Sequence, residues 1–180
     1  MKKDLVSIVI TSFNAEKFIK RTLDSVINQS YKNWELIIVD DCSKDDTGQI
    51  ISNHLKNISN IKLIFNKINL GCNYSRNLAI NQSSGRFIAL LDHDDYWMSD
   101  KLEIQVSFHH KNQCGASCTY YRRFNSKNES GKLIKAPEIK TKNDVLFQNN
   151  IGYSSVMIDK KFIKNFQMID NPLSDFPTWI

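Results

Sequence analysis

The chain has 180 residues, of which 41% are hydrophobic and 24% charged, the balance of an ordinary globular domain. No stretch approaches the roughly 18 consecutive apolar residues that cross a bilayer, and the four cysteines lack the C-x-x-C spacing of a zinc site. Length and composition therefore predict a single domain, residues 1–180, in the cytoplasm, and they argue against a membrane-spanning or disulfide-rich protein.

Short apolar runs alternate with amphipathic stretches along the first part of the chain. Runs rich in branched residues predict buried strands at residues 6–10, 36–39, 61–65 and 87–91. The helices between them are predicted to start after Asn14 as N-cap, after a capping box at 43–46, and near residues 74 and 99. This alternation predicts an α/β/α sandwich with a mostly parallel central sheet.

The second half of the chain is less regular and carries the excess positive charge. Strands are predicted at 116–121 and 154–158, with a turn at Ser130 and Gly131. Residues 122–142 contain seven basic and two acidic side chains, which accounts for the whole net charge of +5. A solvated loop, an anionic membrane surface and a diphosphate-bearing acceptor all fit this segment. Nucleic acid is not a predicted partner, because no reading helix or interleaved aromatic pattern accompanies the charge.

Acidic residues follow two of the predicted strands. Asp40 and Asp41 come directly after residues 36–39, and the sequence Asp-His-Asp-Asp at 92–95 comes directly after residues 87–91. Ligands of such sheets bind beyond the carboxyl ends of the strands, where several like charges are costly unless a cation or hydrogen bonds compensate them. A divalent cation that bridges a diphosphate would compensate them with oxygen ligands. For Asp41 and Asp95 individually, simple helix capping stays an open alternative.

The turn after the first strand lacks the glycines of a dinucleotide-binding loop, and the chain has no G-x-x-x-x-G-K-[ST] motif. A diphosphate is therefore expected to be held through a metal ion instead of a glycine-rich loop. A nucleotidyltransferase is an alternative that also uses metal-binding carboxylates on an α/β sheet. That alternative is the weaker one, because it requires a glycine-rich, basic loop near the N-terminus and this sequence has none.

Four blocks of sequence, in this order, resemble the family 2 glycosyltransferases, which have the GT-A fold: residues 6–14, 29–43, 69–77 and 85–95. The last block contains the D-x-D signature of that family as Asp92-His93-Asp94. The resemblance is close over about the first 110 residues and looser beyond them. It implies a nucleotide-sugar-binding part at about 1–110 and an acceptor-side part at about 111–180.

The resemblance implies an inverting, metal-dependent transfer of sugar from a nucleotide diphosphate donor, with a leaning to UDP. The acceptor would be a saccharide or a polyprenyl-diphosphate-linked sugar, in bacterial cell-surface polysaccharide synthesis, with peripheral contact with the inner face of the membrane. The residues assigned to the donor are Thr11, Phe13, Asp40, Arg76 and Asp92. Asp40 would bond the base, Arg76 would approach base or diphosphate, and Asp92 would hold the ribose or a metal-bound water.

By the same resemblance, Asp94 would ligate Mn²⁺ or Mg²⁺. Asp175 would be the base that deprotonates the acceptor hydroxyl, with Ser174 standing where the family has a first acidic residue. A helix that starts near Asp175 has about six residues before Ile180, half the usual length. We therefore expect a chain truncated at its C-terminus, with an incomplete acceptor-side part. A domain that binds the donor but does not catalyse transfer is the main alternative.

Overall fold

The computed structural model describes residues 2–124, 130–136 and 151–169. The elements in chain order are β1 (Lys2–Ser12), α1 (Ile19–Ile27), β2 (Trp34–Asp40), α2 (Thr47–Leu55), β3 (Ile61–Phe65), α3 (Cys72–Asn81), β4 (Gly85–Asp92), α4 (Lys101–Asn112), β5 (Ala116–Cys118), β6 (Tyr121–Phe124), β7 (Ser130–Ile134), a 3₁₀ turn (Tyr153–Ser155) and β8 (Val156–Asp159).

The central sheet has the strand order β3-β2-β1-β4-β8-β5. Strands β1 to β4 are parallel to one another, while β8 runs antiparallel to both β4 and β5. Strands β6 and β7 pair with each other as a separate hairpin. The predicted α/β fold with a mostly parallel sheet is therefore confirmed.

Helices cover both faces of this sheet. Alternate residues of β1, such as Val6 and Ile8, pack against the side that carries α1, α2 and α4. The intervening residue Val9 packs against the side that carries α3 and the segment around Tyr153. Because successive side chains of a strand point to opposite faces, a strand buried on both faces needs an almost continuous apolar run. Residues 6–10, 36–39 and 87–91 have such runs and are buried. Strand β3, at one edge of the sheet, is only partly buried, with Lys62 and Phe65 exposed, so the predicted burial of residues 61–65 is wrong.

Two helix starts differ from the prediction. Helix α1 begins at Ile19 instead of directly after Asn14, whose φ of 49° is left-handed and whose side-chain oxygen accepts from the Lys44 amide at 2.8 Å. The predicted capping box does not form either, because Ser43 Oγ donates to Asp40 instead of capping α2. Asp45 accepts from the Thr47 amide at 3.1 Å in its place.

The second half also departs from the expected strands. Residues 116–121 divide between β5 of the central sheet and β6 of the hairpin, and Ser130 and Gly131 lie in β7 instead of a turn. The strand expected at 154–158 is present as β8, with the 3₁₀ turn in front of it. Asp175 lies outside the described residues.

Candidate active site

The carboxyl ends of three neighbouring strands bring most of the predicted site residues together. In the pairing of β1 with β2, Ser12 lies opposite Asp40. In the pairing of β1 with β4, Thr11 lies opposite Asp92. Thr11 is nearly buried, with its hydroxyl 3.7 Å from Cys72 Sγ, whereas Phe13 is 43% exposed at the same edge. The sheet therefore gathers both acidic clusters and the end of β1 at one edge.

Asp40 is buried, and its carboxylate accepts several hydrogen bonds within the protein. The donors are Ser12 Oγ at 2.9 Å, the Ser43 amide at 2.9 Å and Ser43 Oγ at 2.6 Å. A carboxylate offers roughly four acceptor positions, so about one remains for a ligand. Contact between Asp40 and a nucleotide base stays a prediction that would use this remaining position.

Asp41 supports the loop that leads into α3. Its carboxylate accepts from the Leu70 amide at 2.9 Å, the Gly71 amide at 2.8 Å and Asn66 Nδ2 at 2.7 Å. Gly71 has φ of 89°, a conformation that side chains disfavour and that directs its amide to this carboxylate. Of the alternatives left open by the sequence, Asp41 therefore holds a loop distant in sequence and does not cap the helix that follows it.

Arg76 has a partner that the sequence did not reveal. Its Nη2 donates to Asp92 Oδ1 at 2.8 Å, its Nη1 donates to Asn73 Oδ1 at 3.1 Å, and its guanidinium lies 3.7 Å from the ring centre of Tyr153. Burial raises the pKa of Asp92; the adjacent charge of Arg76 lowers it, and the charges of Asp95 and Asp94 raise it further. The net result is a raised pKa. An approach of Arg76 to the base or diphosphate stays a prediction.

Residues Asp92–Asp95, which we call the carboxylate loop, form a tight turn in which the Asp95 amide donates to the Asp92 carbonyl at 3.2 Å. The side chain of Asp94 is exposed. His93 Nδ1 lies 3.1 Å from the Thr11 carbonyl, which ties the loop to the end of β1. The loop therefore presents Asp94 outward while its neighbours are held by the protein.

Ser154, in the 3₁₀ turn, contacts the carboxylate loop from the second half of the chain. Its hydroxyl accepts from the Asp92 amide at 3.0 Å and donates to Asp95 Oδ2 at 2.6 Å, while its carbonyl accepts from Trp97 Nε1 at 2.7 Å. Burial raises the pKa of Asp95; the bond from Ser154 lowers it and the charge of Asp94 raises it, with a net increase. Asp95 therefore accepts a hydrogen bond from Ser154 and does not cap the helix that follows it.

Sequence reasoning missed Ser12, Thr22 and Ser154 as functional candidates. Thr22 donates from α1 to carbonyls of the carboxylate loop. One signal was available for it, because a polar residue on the predicted apolar face of a helix needs a buried partner. Nothing in the sequence pattern identifies Ser12 or Ser154, whose partners are 28 and 59 residues away.

The donor set fits a divalent cation that is shared with a substrate. Within the described ranges, no group of three or more His, Cys, Asp or Glu side chains converges on one point. The exposed Asp94 supplies carboxylate oxygens alone, and Mg²⁺-type sites commonly combine one or two carboxylates with substrate phosphates and water. Asp94 therefore fits a metal that arrives with a diphosphate.

The chain is similar in sequence to known proteins. The sequence profile described as Glycosyl transferase family 2 matches residues 7–167. The chain is 38% identical to TuaG of Bacillus subtilis, a protein named for teichuronic acid biosynthesis, over 99% of the chain and 71% of that protein. It is 37% identical to WfgD of Escherichia coli, named as a UDP-Glc:alpha-D-GlcNAc-diphosphoundecaprenol beta-1,3-glucosyltransferase, over 98% of the chain and 68% of that protein.

Solved structures show the same fold. TarS of S. aureus in complex with UDP has a TM-score of 0.80 at 23% identity and covers 97% of this chain. The mannosyltransferase PcManGT of Pyrobaculum calidifontis, in complex with GDP-Man and Mn²⁺, has a TM-score of 0.72 at 16% identity and covers 96% of this chain. The chain spans 53% and 50% of those two crystallised chains. The chain therefore belongs to glycosyltransferase family 2 and has the GT-A fold.

Proposed function

We propose that this chain binds a UDP-sugar at the carboxyl edge of its sheet, together with Mn²⁺ or Mg²⁺, for inverting transfer of the sugar to an acceptor. The observation that carries the proposal is the carboxylate loop, where Asp94 is exposed while Asp92 is bonded by Arg76 and Asp95 by Ser154. One carboxylate is thereby free for a ligand. The names of TarS in complex with UDP and of the UDP-Glc-using WfgD support the choice of donor.

Different residues are assigned to the cation, to the nucleotide and to the acceptor. Asp94 supplies carboxylate oxygens to the cation, which when bound would neutralise the departing nucleoside diphosphate. Thr11 and Phe13 line the nucleotide pocket, and Asp40 accepts a hydrogen bond from the base. Asp175, outside the described residues, takes the proton of the acceptor hydroxyl.

The basic hairpin supports an acceptor that carries phosphate. Arg122, Arg123, Lys132 and Lys135 are exposed on and next to β6 and β7. The printed name of WfgD includes a diphosphoundecaprenol acceptor, whose negative charge complements such a hairpin. No helix in the described segments is long and apolar enough to span a membrane. We propose a lipid-linked acceptor at the inner face of the cell membrane, in polysaccharide synthesis.

The proposal is tested by the thermal stability of the protein with UDP, in Mn²⁺ and in EDTA. UDP at about 100 times its Kd adds about 2.7 kcal/mol to the free energy of unfolding, and most of that gain should require Mn²⁺. Asp94→Asn should remove the Mn²⁺-dependent part and leave the fold intact, because the Asp94 side chain is exposed.

Asp100→Asn is the matched control, since Asp100 is also exposed and makes no side-chain cap bond at the start of α4. It should keep the full Mn²⁺-dependent gain. Equal stabilisation by UDP in Mn²⁺ and in EDTA, or an unchanged gain in Asp94→Asn, would refute the proposed metal site.

A further inference from the structure

Helix α1 binds the backbone carbonyls of the carboxylate loop, whereas Ser154 binds the Asp92 amide and the Asp95 side chain. Three consecutive carbonyl oxygens of that loop accept hydrogen bonds from two adjacent residues of α1. Arg21 Nη2 donates to the Asp94 carbonyl at 3.2 Å, and Thr22 Oγ1 lies 2.7 Å from both the His93 and the Asp95 carbonyls. Helix α1 therefore fixes the backbone on both sides of Asp94, whereas the side chain of Asp94 is exposed.

Thr22 holds the centre of this contact. Its side chain is fully buried, and its hydroxyl carries one hydrogen, which the two carbonyls share. A threonine inside a helix commonly bonds a carbonyl of its own preceding turn. The Thr22 hydroxyl instead bonds residues 71 and 73 positions away in sequence. Valine has nearly the same shape as threonine, so packing alone does not require the hydroxyl.

Arg21 also binds the loop, and two aromatic rings hold its guanidinium. Its guanidinium lies 4.7 Å from the ring centre of Tyr96 and 4.5 Å from that of Phe124, and the two rings are 5.3 Å apart. The stack fixes the direction in which Arg21 donates to the Asp94 carbonyl. Arg21 and Thr22 thus constrain the loop at successive residues.

We propose that Thr22, assisted by Arg21, is a positioning residue that sets the backbone of the carboxylate loop so that the Asp94 carboxylate points out to its ligand. The proposal rests on the proposed function for its consequence, because Asp94 is the proposed metal ligand. The ordering of the loop itself is a separate property that can be measured without metal or nucleotide. Small displacements of a ligand or catalytic group have large effects on function, so a fixed loop backbone matters.

Thr22→Val tests the proposal with two measurements. The first is amide hydrogen exchange of residues 92–97 in the protein without ligands, which should become about five- to tenfold faster, the factor that corresponds to one hydrogen bond. The second is the factor by which Mn²⁺ tightens UDP binding, measured by calorimetry, which should shrink by a similar factor. Thr22→Ser keeps the hydroxyl and should restore both values.

Thr47→Val is the matched control for a merely structural effect. Thr47 is also fully buried, and its hydroxyl accepts from the Ala15 amide at 2.7 Å, away from the carboxylate loop. It should lower overall stability without changing exchange in residues 92–97 or the Mn²⁺ factor. If Thr22→Val does not fold, Arg21→Met, at a half-buried position, replaces it as the test. It should also speed exchange in residues 92–97 and reduce the factor by which Mn²⁺ tightens UDP binding.

The outcomes separate this inference from the proposed function. If UDP binding to the unmodified chain does not respond to Mn²⁺, the proposed metal site fails, and the exchange measurement still decides whether Thr22 orders the loop. Unchanged exchange in Thr22→Val, or a change that Thr47→Val matches, overturns the inference. Faster exchange with an unchanged Mn²⁺ factor also overturns it, since the loop would then be ordered without consequence for Asp94.

Discussion

Carboxylates lie at both ends of β4, and the partners of their side chains differ between the two ends. At the edge where β4 begins, Arg86 binds Asp159 through Nε at 3.0 Å and Nη2 at 2.6 Å, and reaches Asp4 at 3.3 Å. At the edge where β4 ends, the carboxylate loop places three aspartates close together with Asp94 left exposed. One edge pairs its negative charge within the protein, while the other keeps one carboxylate for solvent or ligand.

The acidities of the two sets differ accordingly. Burial alone would raise the pKa of Asp159, but the hydrogen bonds and charge of Arg86 hold that pKa below its ordinary value. Burial and neighbouring like charge leave the pKa of Asp92 and of Asp95 raised, in spite of Arg76 and Ser154. The lowered pKa of Asp159 reflects its bonds to Arg86, whereas burial comes first and neighbouring carboxylates second in raising the pKa of Asp92 and of Asp95.

The largest expected effect on stability is at the ion pair of Arg86 with Asp159. Arg86→Met should lower the free energy of unfolding by about 3–5 kcal/mol, because it leaves Asp159 as a buried charge without its partner. Urea unfolding at pH 7 measures this loss. Arg123→Met, at an exposed position of β6, is the control and should stay within about 0.5 kcal/mol of the unmodified chain. Equal losses in the two variants would show that the two edges do not differ in this way.

The same pair predicts a pH dependence with a definite sign. Because the folded-state pKa of Asp159 is lowered, its stabilising contribution is present above the ordinary value of 3.8 and is lost as pH falls through the folded value. The difference in unfolding free energy between the unmodified chain and Arg86→Met should therefore shrink from pH 5 towards pH 2. Urea unfolding across that range measures it. A difference that grows on acidification would contradict the assigned ion pair.

The smallest expected effect is at the carboxylate loop. Ser154→Ala removes the donor to Asp95 and should cost about 1 kcal/mol, because Asp95 is half-buried and water replaces part of the bond. Thermal unfolding measures the cost, and UDP affinity in Mn²⁺ should also fall. Ser155→Ala is the control, since Ser155 Oγ donates locally to the Gly152 carbonyl at 2.6 Å, and it should leave UDP affinity unchanged. A Ser154→Ala variant that binds UDP normally would remove Ser154 from the site.

The sequence was sufficient for the parts of the molecule that depend on local pattern. Continuous apolar runs predicted β1 to β4, and acidic residues after two of those runs identified the edge that carries the site. The partners of Asp41 and Arg76 could not be predicted, because side chains that meet across 16 to 30 residues leave no periodic signal. The helix start at Asn14 was wrong because capping depends on φ, and Asn14 is left-handed.

The neighbouring residues Tyr153 and Ser154 bear on any exchange of parts between related enzymes. Tyr153 stacks on the guanidinium of Arg76, which binds Asp92, and Ser154 binds Asp95. A shift of that segment by one position would present the wrong side chain to each partner. A chimera that joins residues 1–112 of this chain to the second half of a related protein should therefore keep a tyrosine and a serine in the register of Tyr153 and Ser154.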